Sequence, residues 1–153
     1  MRDPRPRGEL GFTVIELLSV MSIIGLLAAL AIPRLQTVIK QAKVARAIGD
    51  IRAISTELMS IEASNQPLPA DLSAIGRAGT LDPWGRPYQY LPFLGAPPGA
   101  ARRDRFLVPI NSTFDLYSLG EDGSSVPALT ASASQDDIVR ANDGGFIGLG
   151  SKF

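Results

Sequence analysis

The chain has 153 residues, 15 basic and 15 acidic side chains and therefore a formal net charge of zero, and it contains neither cysteine nor histidine. This length allows one modest domain beside an apolar segment, and the charge balance gives no indication of nucleic-acid binding. The two missing residue types exclude disulfides, thiol nucleophiles, most zinc sites and the usual general base.

A short charged leader, residues 1–11, precedes a long apolar segment at residues 12–33. The leader carries three arginines and two acids, and a flank rich in arginine stays on the cytoplasmic side of a membrane. The apolar segment contains a single charged residue, Glu16. As a helix it would extend roughly 33 Å, close to the thickness of the bilayer hydrocarbon. The two segments together predict a single-pass helix with the rest of the chain on the far side.

Three kinds of segment fit this pattern. It could be a plain membrane anchor, or a secretory signal peptide cut after Ala31, where Ala29-Leu30-Ala31 has the small-x-small form. Glu16 and the length of the apolar run argue against the signal peptide. In the third interpretation the cut lies before the apolar segment, between Gly11 and Phe12, and the mature chain keeps its helix. The residues favour this third interpretation.

Gly11, Phe12 and Glu16, with Gly25 and Pro33 farther along, resemble the N-terminus of type IV pilins and type II secretion pseudopilins. The resemblance implies that a prepilin peptidase cleaves after Gly11 and methylates the amine of Phe12. A carboxylate in a bilayer costs on the order of 2–3 kcal/mol, so it needs a partner. The Phe12 amine of an adjacent copy is one such partner, which gives Glu16 an assembly role. The alternative is that Glu16 only reaches the membrane interface.

The helix is predicted to continue past the membrane as an amphipathic stem over residues 34–64. Apolar residues recur at steps of three and four from Leu35 to Ile61, which traces one face of a helix. Asn65-Gln66-Pro67 is expected to end it. The apolar face is predicted to form the core of a soluble domain.

Residues 65–153 are predicted to form a globular head. Asp71 is expected to cap a short helical turn, and Asp82-Pro83-Trp84-Gly85 has the composition of a type I turn. Short strands are predicted at residues 88–91, 106–108 and 114–119. Trp84 is expected to anchor the core. The arginine cluster at residues 102–105 is predicted to be a solvated loop.

These elements predict an α+β fold in which one long N-terminal helix packs against a small antiparallel sheet. The strings LDPWGRPYQY and FDLYSLGEDG resemble the corresponding segments of the major pseudopilin of type II secretion. The resemblance therefore implies a pilin-like fold, with the apolar half of the helix in the membrane or in the core of a filament.

The tail after Leu119 shows little hydrophobic periodicity but many oxygen donors, which suit calcium. It lacks the EF-hand pattern. Resemblance to the major pseudopilin implies calcium ligation by the carbonyl of Leu119 and the carboxylates of Asp122, Asp136 and Asp137. The alternative is a solvated acidic loop held by Asx turns. The glycine-rich C-terminus is expected to pack Phe146 and Ile147 back on the sheet.

No catalytic constellation is present, since the sequence lacks a Gly-x-Ser-x-Gly motif and paired carboxylates on a regular element. The sequence predicts a structural subunit, not an enzyme, that polymerises into a pseudopilus and drives secretion across the outer membrane. Its implied partners are other copies of itself, minor pseudopilins, the prepilin peptidase and the inner-membrane assembly platform, without nucleic acid.

The implied location is the inner membrane, with a cytoplasmic N-terminus and a periplasmic head, followed by a periplasmic or extracellular filament. Two alternatives remain. One is a type IV pilin that forms a surface fibre. The other is a monomeric, membrane-anchored, calcium-binding exoplasmic domain.

Overall fold

The computed structural model describes residues 11–153, so the prediction for the leader lies almost wholly outside the described residues. The chain divides into two compact units, the first ending at Ile39 and the second comprising Lys40–Phe153. The regular elements of the described part are helix α1 (Val14–Ala63) and strands β1 (Gln89–Pro92), β2 (Phe114–Ser118), β3 (Ile138–Ala141) and β4 (Phe146–Leu149). Short 3-10 turns lie at Leu72–Ile75, Ser132–Ser134, Asn142–Gly144 and Gly150–Lys152.

Helix α1 is the single long helix that the sequence predicts, and it ends at Ala63, one residue before the expected end. In the first unit its large apolar side chains are all exposed, from 75% at Val14 to 48% at Ile39. An 18-residue window of α1 has a mean hydropathy of 2.4 with none of it buried. By length and composition this part of α1 meets the requirement for a membrane span.

The second unit contains an antiparallel sheet with the strand order β1-β2-β3-β4. Tyr90 pairs with Leu116, Tyr117 with Val139, and Val139 with Gly148. The α+β fold expected from the sequence is therefore observed. Half of the sheet, however, comes from the acidic tail, where sequence analysis expected only a loop and a packed C-terminus.

Two predictions of strands need correction. Strand β3 was not predicted. All four of its residues are buried, so it lacks the alternation of apolar and polar side chains that indicates a half-buried strand. The predicted strand at residues 106–108 is a turn. Asp104 Oδ1 accepts hydrogen bonds from the backbone N–H groups of Phe106 at 2.8 Å and Val108 at 3.0 Å. Leu107 between them has a φ of 61°, outside the strand region.

The core lies between the C-terminal half of α1 and one face of the sheet. Ile54 and Leu58 of α1 belong to one buried cluster with Phe114 and Leu116 of β2, and Trp84 packs against its edge as predicted. A second cluster comprises Ile110, Leu129, Val139 and Ala141. The apolar face of the stem helix thus forms the predicted core only from Val44 onward. Leu35, Val38 and Ile39, which its periodicity assigned to the same face, are exposed.

The turns predicted in the head are also observed. Asp71 caps the 3-10 turn that follows it, since its side chain accepts a hydrogen bond from the backbone N–H of Ser73. At residues 82–85 the N–H of Gly85 donates to the carbonyl of Asp82 at 2.9 Å. The buried Asp82 carboxylate also accepts a hydrogen bond from the Ser118 hydroxyl at 2.6 Å, which joins this turn to β2.

Replacing Tyr88 by phenylalanine is expected to lower the free energy of unfolding by about 1 kcal/mol. The Tyr88 hydroxyl donates to Asp50 Oδ2 on α1 at 2.8 Å, and the tyrosine is only 5% exposed. Urea unfolding of the full-length protein in detergent micelles, followed by Trp84 fluorescence, measures the loss. In a double-mutant cycle with Asp50→Ala the two losses should not add; full additivity would contradict the bond.

Candidate functional site

Two regions carry the predicted functional residues, and they lie in different units of the chain. The first is the segment from Gly11 to Glu16, in which the predicted cleavage site, the methylation site and the only charged side chain of the apolar segment lie together. The second is the acidic loop, defined here as residues 119–137, which holds the predicted calcium ligands.

Gly11, Phe12 and Thr13 precede the first turn of α1, and all three are exposed. The backbone at the predicted scissile bond is therefore not part of the helix. An ideal Cβ added to Gly11 would have no heavy atom within 4 Å. The described structure thus leaves the Gly11–Phe12 bond accessible to an enzyme.

Glu16 has a partner within its own chain that sequence analysis missed. Its Oε2 accepts hydrogen bonds from the backbone N–H and the hydroxyl of Thr13, both at 2.8 Å. The Thr13 hydroxyl oxygen accepts a weaker bond from the N–H of Glu16 at 3.3 Å. This is a capping box, which the spacing Thr-x-x-Glu could have indicated. Glu16 therefore both caps α1 and offers a carboxylate near its first turn.

In the acidic loop, three of the four predicted calcium ligands hold turns. Asp136 Oδ2 accepts hydrogen bonds from the N–H groups of Glu121 at 2.7 Å and Asp122 at 2.9 Å. Asp122 Oδ1 accepts from the N–H of Ser124 at 2.7 Å. The Leu119 carbonyl accepts from the N–H of Gly123 at 3.1 Å. Of these bonds, only the one from Ser124 to Asp122 is an Asx turn of the kind that the alternative expected. Asp136 instead joins the two ends of the loop.

The fourth predicted ligand, Asp137, is fully buried and forms an ion pair with Nη2 of Arg102. Its Oδ2 also accepts a hydrogen bond from the Ser125 hydroxyl at 2.6 Å. Burial raises the pKa of the Asp137 carboxyl, while the hydrogen bond from Ser125 and the charge of Arg102 act in the opposite direction. Its Oδ1 has no hydrogen-bond partner among the described residues.

The oxygen atoms of the predicted ligands are not arranged to bind a calcium ion. Calcium takes six to eight oxygen ligands, and within residues 11–153 no group of three or more acidic side chains gathers in a way that could hold a metal. The carboxylates of Asp122 and Asp136 bind backbone amides, and that of Asp137 faces a guanidinium. Calcium at these residues stays a prediction, and this geometry does not favour it.

Two arginines that sequence analysis did not assign to the loop contact it directly. Arg86 donates from Nη1 to the Gly120 carbonyl at 2.7 Å and from Nη2 to the Glu121 carbonyl at 3.1 Å. Arg102 is 2% exposed, so its assignment to a solvated loop was wrong. No local pattern separates Arg102 from its exposed neighbour Arg105, since its hydrogen-bond partners are 13, 23 and 35 positions away.

The chain is similar in sequence to a family motif and to several known proteins. The family described as the prokaryotic N-terminal methylation motif matches residues 6–32. The chain is 36% identical to type II secretion system core protein G of Pseudomonas aeruginosa over 138 residues, which is 76% of this chain and 87% of the relative. It is 33% identical to the protein of the same name from Escherichia coli strain K12 over 137 residues, 84% of this chain and 88% of that one.

A fimbrial protein of Pseudomonas aeruginosa is 44% identical over 50 residues, only 33% of this chain and 32% of the relative. No solved structure matches. The similarity to the secretion proteins therefore extends across most of the chain, whereas the similarity to this fimbrial protein covers a third of it.

Proposed function

This chain belongs to the family of type II secretion system core protein G, and on that premise we propose that it is cut, methylated and polymerised into a pseudopilus that drives secretion across the outer membrane. The observation that carries the proposal is the extent of the similarity. Core protein G relatives from several bacteria match 76–89% of this chain, including the one at 36% identity. That extent favours a pseudopilus over a type IV pilus fibre.

The proposed processing is cleavage between Gly11 and Phe12 and methylation of the new Phe12 amine by a prepilin peptidase. Support comes from the methylation-motif match over residues 6–32 and from the position of the Gly11–Phe12 bond outside helix α1. After cleavage, Glu16 would be the fifth residue of the mature chain. Its carboxylate would then neutralise the Phe12 amine of an adjacent copy, and this pairing would set the stagger between parallel helices.

The proposed assembly is a homopolymer in which the apolar parts of α1 bundle together. The exposed apolar side chains from Phe12 to Ile39 support this, because they have no partner within the described chain and require either lipid or other helices. The proposed further partners are minor pseudopilins and the inner-membrane assembly platform. The subunit would wait in the inner membrane with its N-terminus cytoplasmic and its head periplasmic. We propose no catalytic role.

Mass spectrometry of the membrane-extracted protein, co-expressed with a prepilin peptidase, tests the processing. We expect a mature chain that begins at methylated Phe12, and we expect Gly11→Val to leave the leader attached. The space around Gly11 is open, so the substitution acts on recognition by the peptidase and not on folding. A mature chain that begins at Ile32 or retains Met1 would contradict the proposal.

Gly25→Ala is the matched control for that experiment. A Cβ at Gly25 would likewise have no heavy atom within 4 Å, and Gly25 lies beyond the proposed cut. We expect this variant to be processed like the wild-type chain. Loss of processing in both variants would show that the peptidase does not depend on Gly11 in particular.

A further inference from the structure

We propose that the guanidinium of Arg102 serves as the internal cation of the acidic loop, so that the head holds this loop without a bound divalent metal. The inference concerns the head alone and does not depend on the processing or assembly proposed above. It rests on the burial of Arg102, on the three groups that surround its guanidinium and on the engagement of the loop oxygens.

The acidic loop needs a source of order beyond apolar packing. Between residues 121 and 136 only Leu129 and Ser134 are buried. The loop nevertheless ends at the fully buried carboxylate of Asp137. A buried carboxylate without a cation or several donors is strongly unfavourable. Asp137 therefore needs either a cation or several hydrogen-bond donors beside it, and a metal ion or a side chain can supply the cation.

Arg102 supplies it from within the chain. Its Nη2 forms the ion pair with Asp137, and its Nη1 donates to the Ser125 hydroxyl at 2.6 Å. The guanidinium lies 4.1 Å from the centroid of the Tyr117 ring, a favourable cation–π distance. One planar group thus contacts strand β2, the middle of the acidic loop and the end of the loop.

The backbone beside Arg102 is fixed to the loop as well. The N–H of Arg103 donates to the Pro127 carbonyl at 2.8 Å, and the N–H of Leu129 donates to the Arg103 carbonyl at 3.0 Å. The N–H of Arg102 itself donates to Asp115 Oδ2 at 2.6 Å. Arg102 is therefore positioned by hydrogen bonds on both sides of its Cα, and its side chain needs little further ordering to reach Asp137.

A second guanidinium serves the first turn of the same loop. Arg86 donates to the carbonyls of Gly120 and Glu121, oxygens of the kind that calcium would otherwise use. An ideal Cβ at Gly123 would lie 2.5 Å from Cζ of Arg86, and Gly123 has a φ of 72°. Glycine at this position therefore permits both the turn and the approach of Arg86.

A divalent ion and Arg102 exclude each other at Asp137. Arginine remains protonated in proteins, so an ion bound to Asp137 would lie beside a buried positive charge with little solvent to screen it. Oδ1 of Asp137, which has no hydrogen-bond partner within residues 11–153, is a single oxygen, far short of the six to eight that calcium takes. The arrangement therefore favours arginine as the resident cation.

The test is thermal unfolding of the full-length protein in detergent micelles, followed by Trp84 fluorescence, with either a calcium chelator or added calcium chloride. We expect the same Tm for the wild-type protein in both conditions. We expect Arg102→Gln to lower the Tm by about 10 °C in both, because it leaves the buried Asp137 carboxylate without its cation. Arg105→Gln, at the exposed end of the same cluster, should leave the Tm unchanged.

Two outcomes would overturn the proposal. The first is a wild-type Tm that falls with chelator and is restored by calcium. The second is an Arg102→Gln variant as stable as the wild type. If the variant does not fold, a calorimetric titration of wild-type protein with calcium chloride decides the question, since the proposal requires no binding and a stoichiometric binding signal contradicts it.

Discussion

Replacing Glu16 by glutamine should abolish filament formation while membrane insertion remains normal. Glutamine can keep the capping box with Thr13, because it offers the same acceptor oxygen at the same position. It removes only the charge that the Phe12 amine of an adjacent copy would meet. A neutral side chain also enters a bilayer more readily than a carboxylate. The variant should therefore accumulate in the membrane as unassembled subunits, measured by membrane fractionation and by electron microscopy of sheared filaments.

Thr13→Ala is the matched control for the Glu16 experiment. It removes the hydroxyl from the capping box but keeps the carboxylate of Glu16, at a cost of about 1 kcal/mol of helix stability. If charge pairing between copies is the function of Glu16, Thr13→Ala should assemble at near wild-type yield. If Glu16 serves only as a cap, the order reverses, with Glu16→Gln forming filaments and Thr13→Ala failing to do so.

Much of the helix and several turns could be predicted from the sequence because they depend on residues close to one another in the chain. The methylation motif lies within one segment, residues 6–32, and the apolar steps from Leu35 to Ile61 follow from the geometry of a single helix. The turn at residues 82–85 and the cap at Asp71 likewise depend on residues next to one another. Such features can be predicted without knowledge of any tertiary contact.

The structure of the C-terminal part was harder to predict from the sequence because it depends on contacts between residues that are far apart in the chain. Strand β3 carries a buried arginine among apolar residues. A charged residue ordinarily lies on the solvent-exposed face of a strand, so nothing in the sequence indicated that this arginine is buried. Asp137 was expected to be a calcium ligand by resemblance to the major pseudopilin, whereas its ion-pair partner in the structure, Arg102, lies 35 positions away. Sequence analysis identified the acidic residues of the loop but not the contact between Asp137 and Arg102.

Arg140→Ala should lower the free energy of unfolding by about 3–5 kcal/mol, among the largest losses expected for one side chain in the head. Arg140 lies in β3 and is 1% exposed. Its Nε donates to the Ser55 hydroxyl of α1 at 3.0 Å, and its Nη1 donates to Asn111 Oδ1 at 3.0 Å and to the Phe114 carbonyl at 3.2 Å. Truncation removes these three hydrogen bonds, leaving Asn111 Oδ1 with only the N–H of Asp143 at 3.1 Å, and opens a cavity beside the Phe114 ring.

Ser55→Ala and Arg105→Ala calibrate that loss in the same urea experiment with Trp84 fluorescence. Ser55→Ala removes one acceptor of Arg140 and should cost about 1 kcal/mol, whereas Arg105 is exposed and should cost less than about 0.5 kcal/mol. If Arg140→Ala costs no more than Ser55→Ala, the arginine is not the link that joins α1, the sheet and the loop at Asn111. A loss several times larger shows that the Arg140 side chain, through its hydrogen bonds and its packing on Phe114, holds the helix against the sheet.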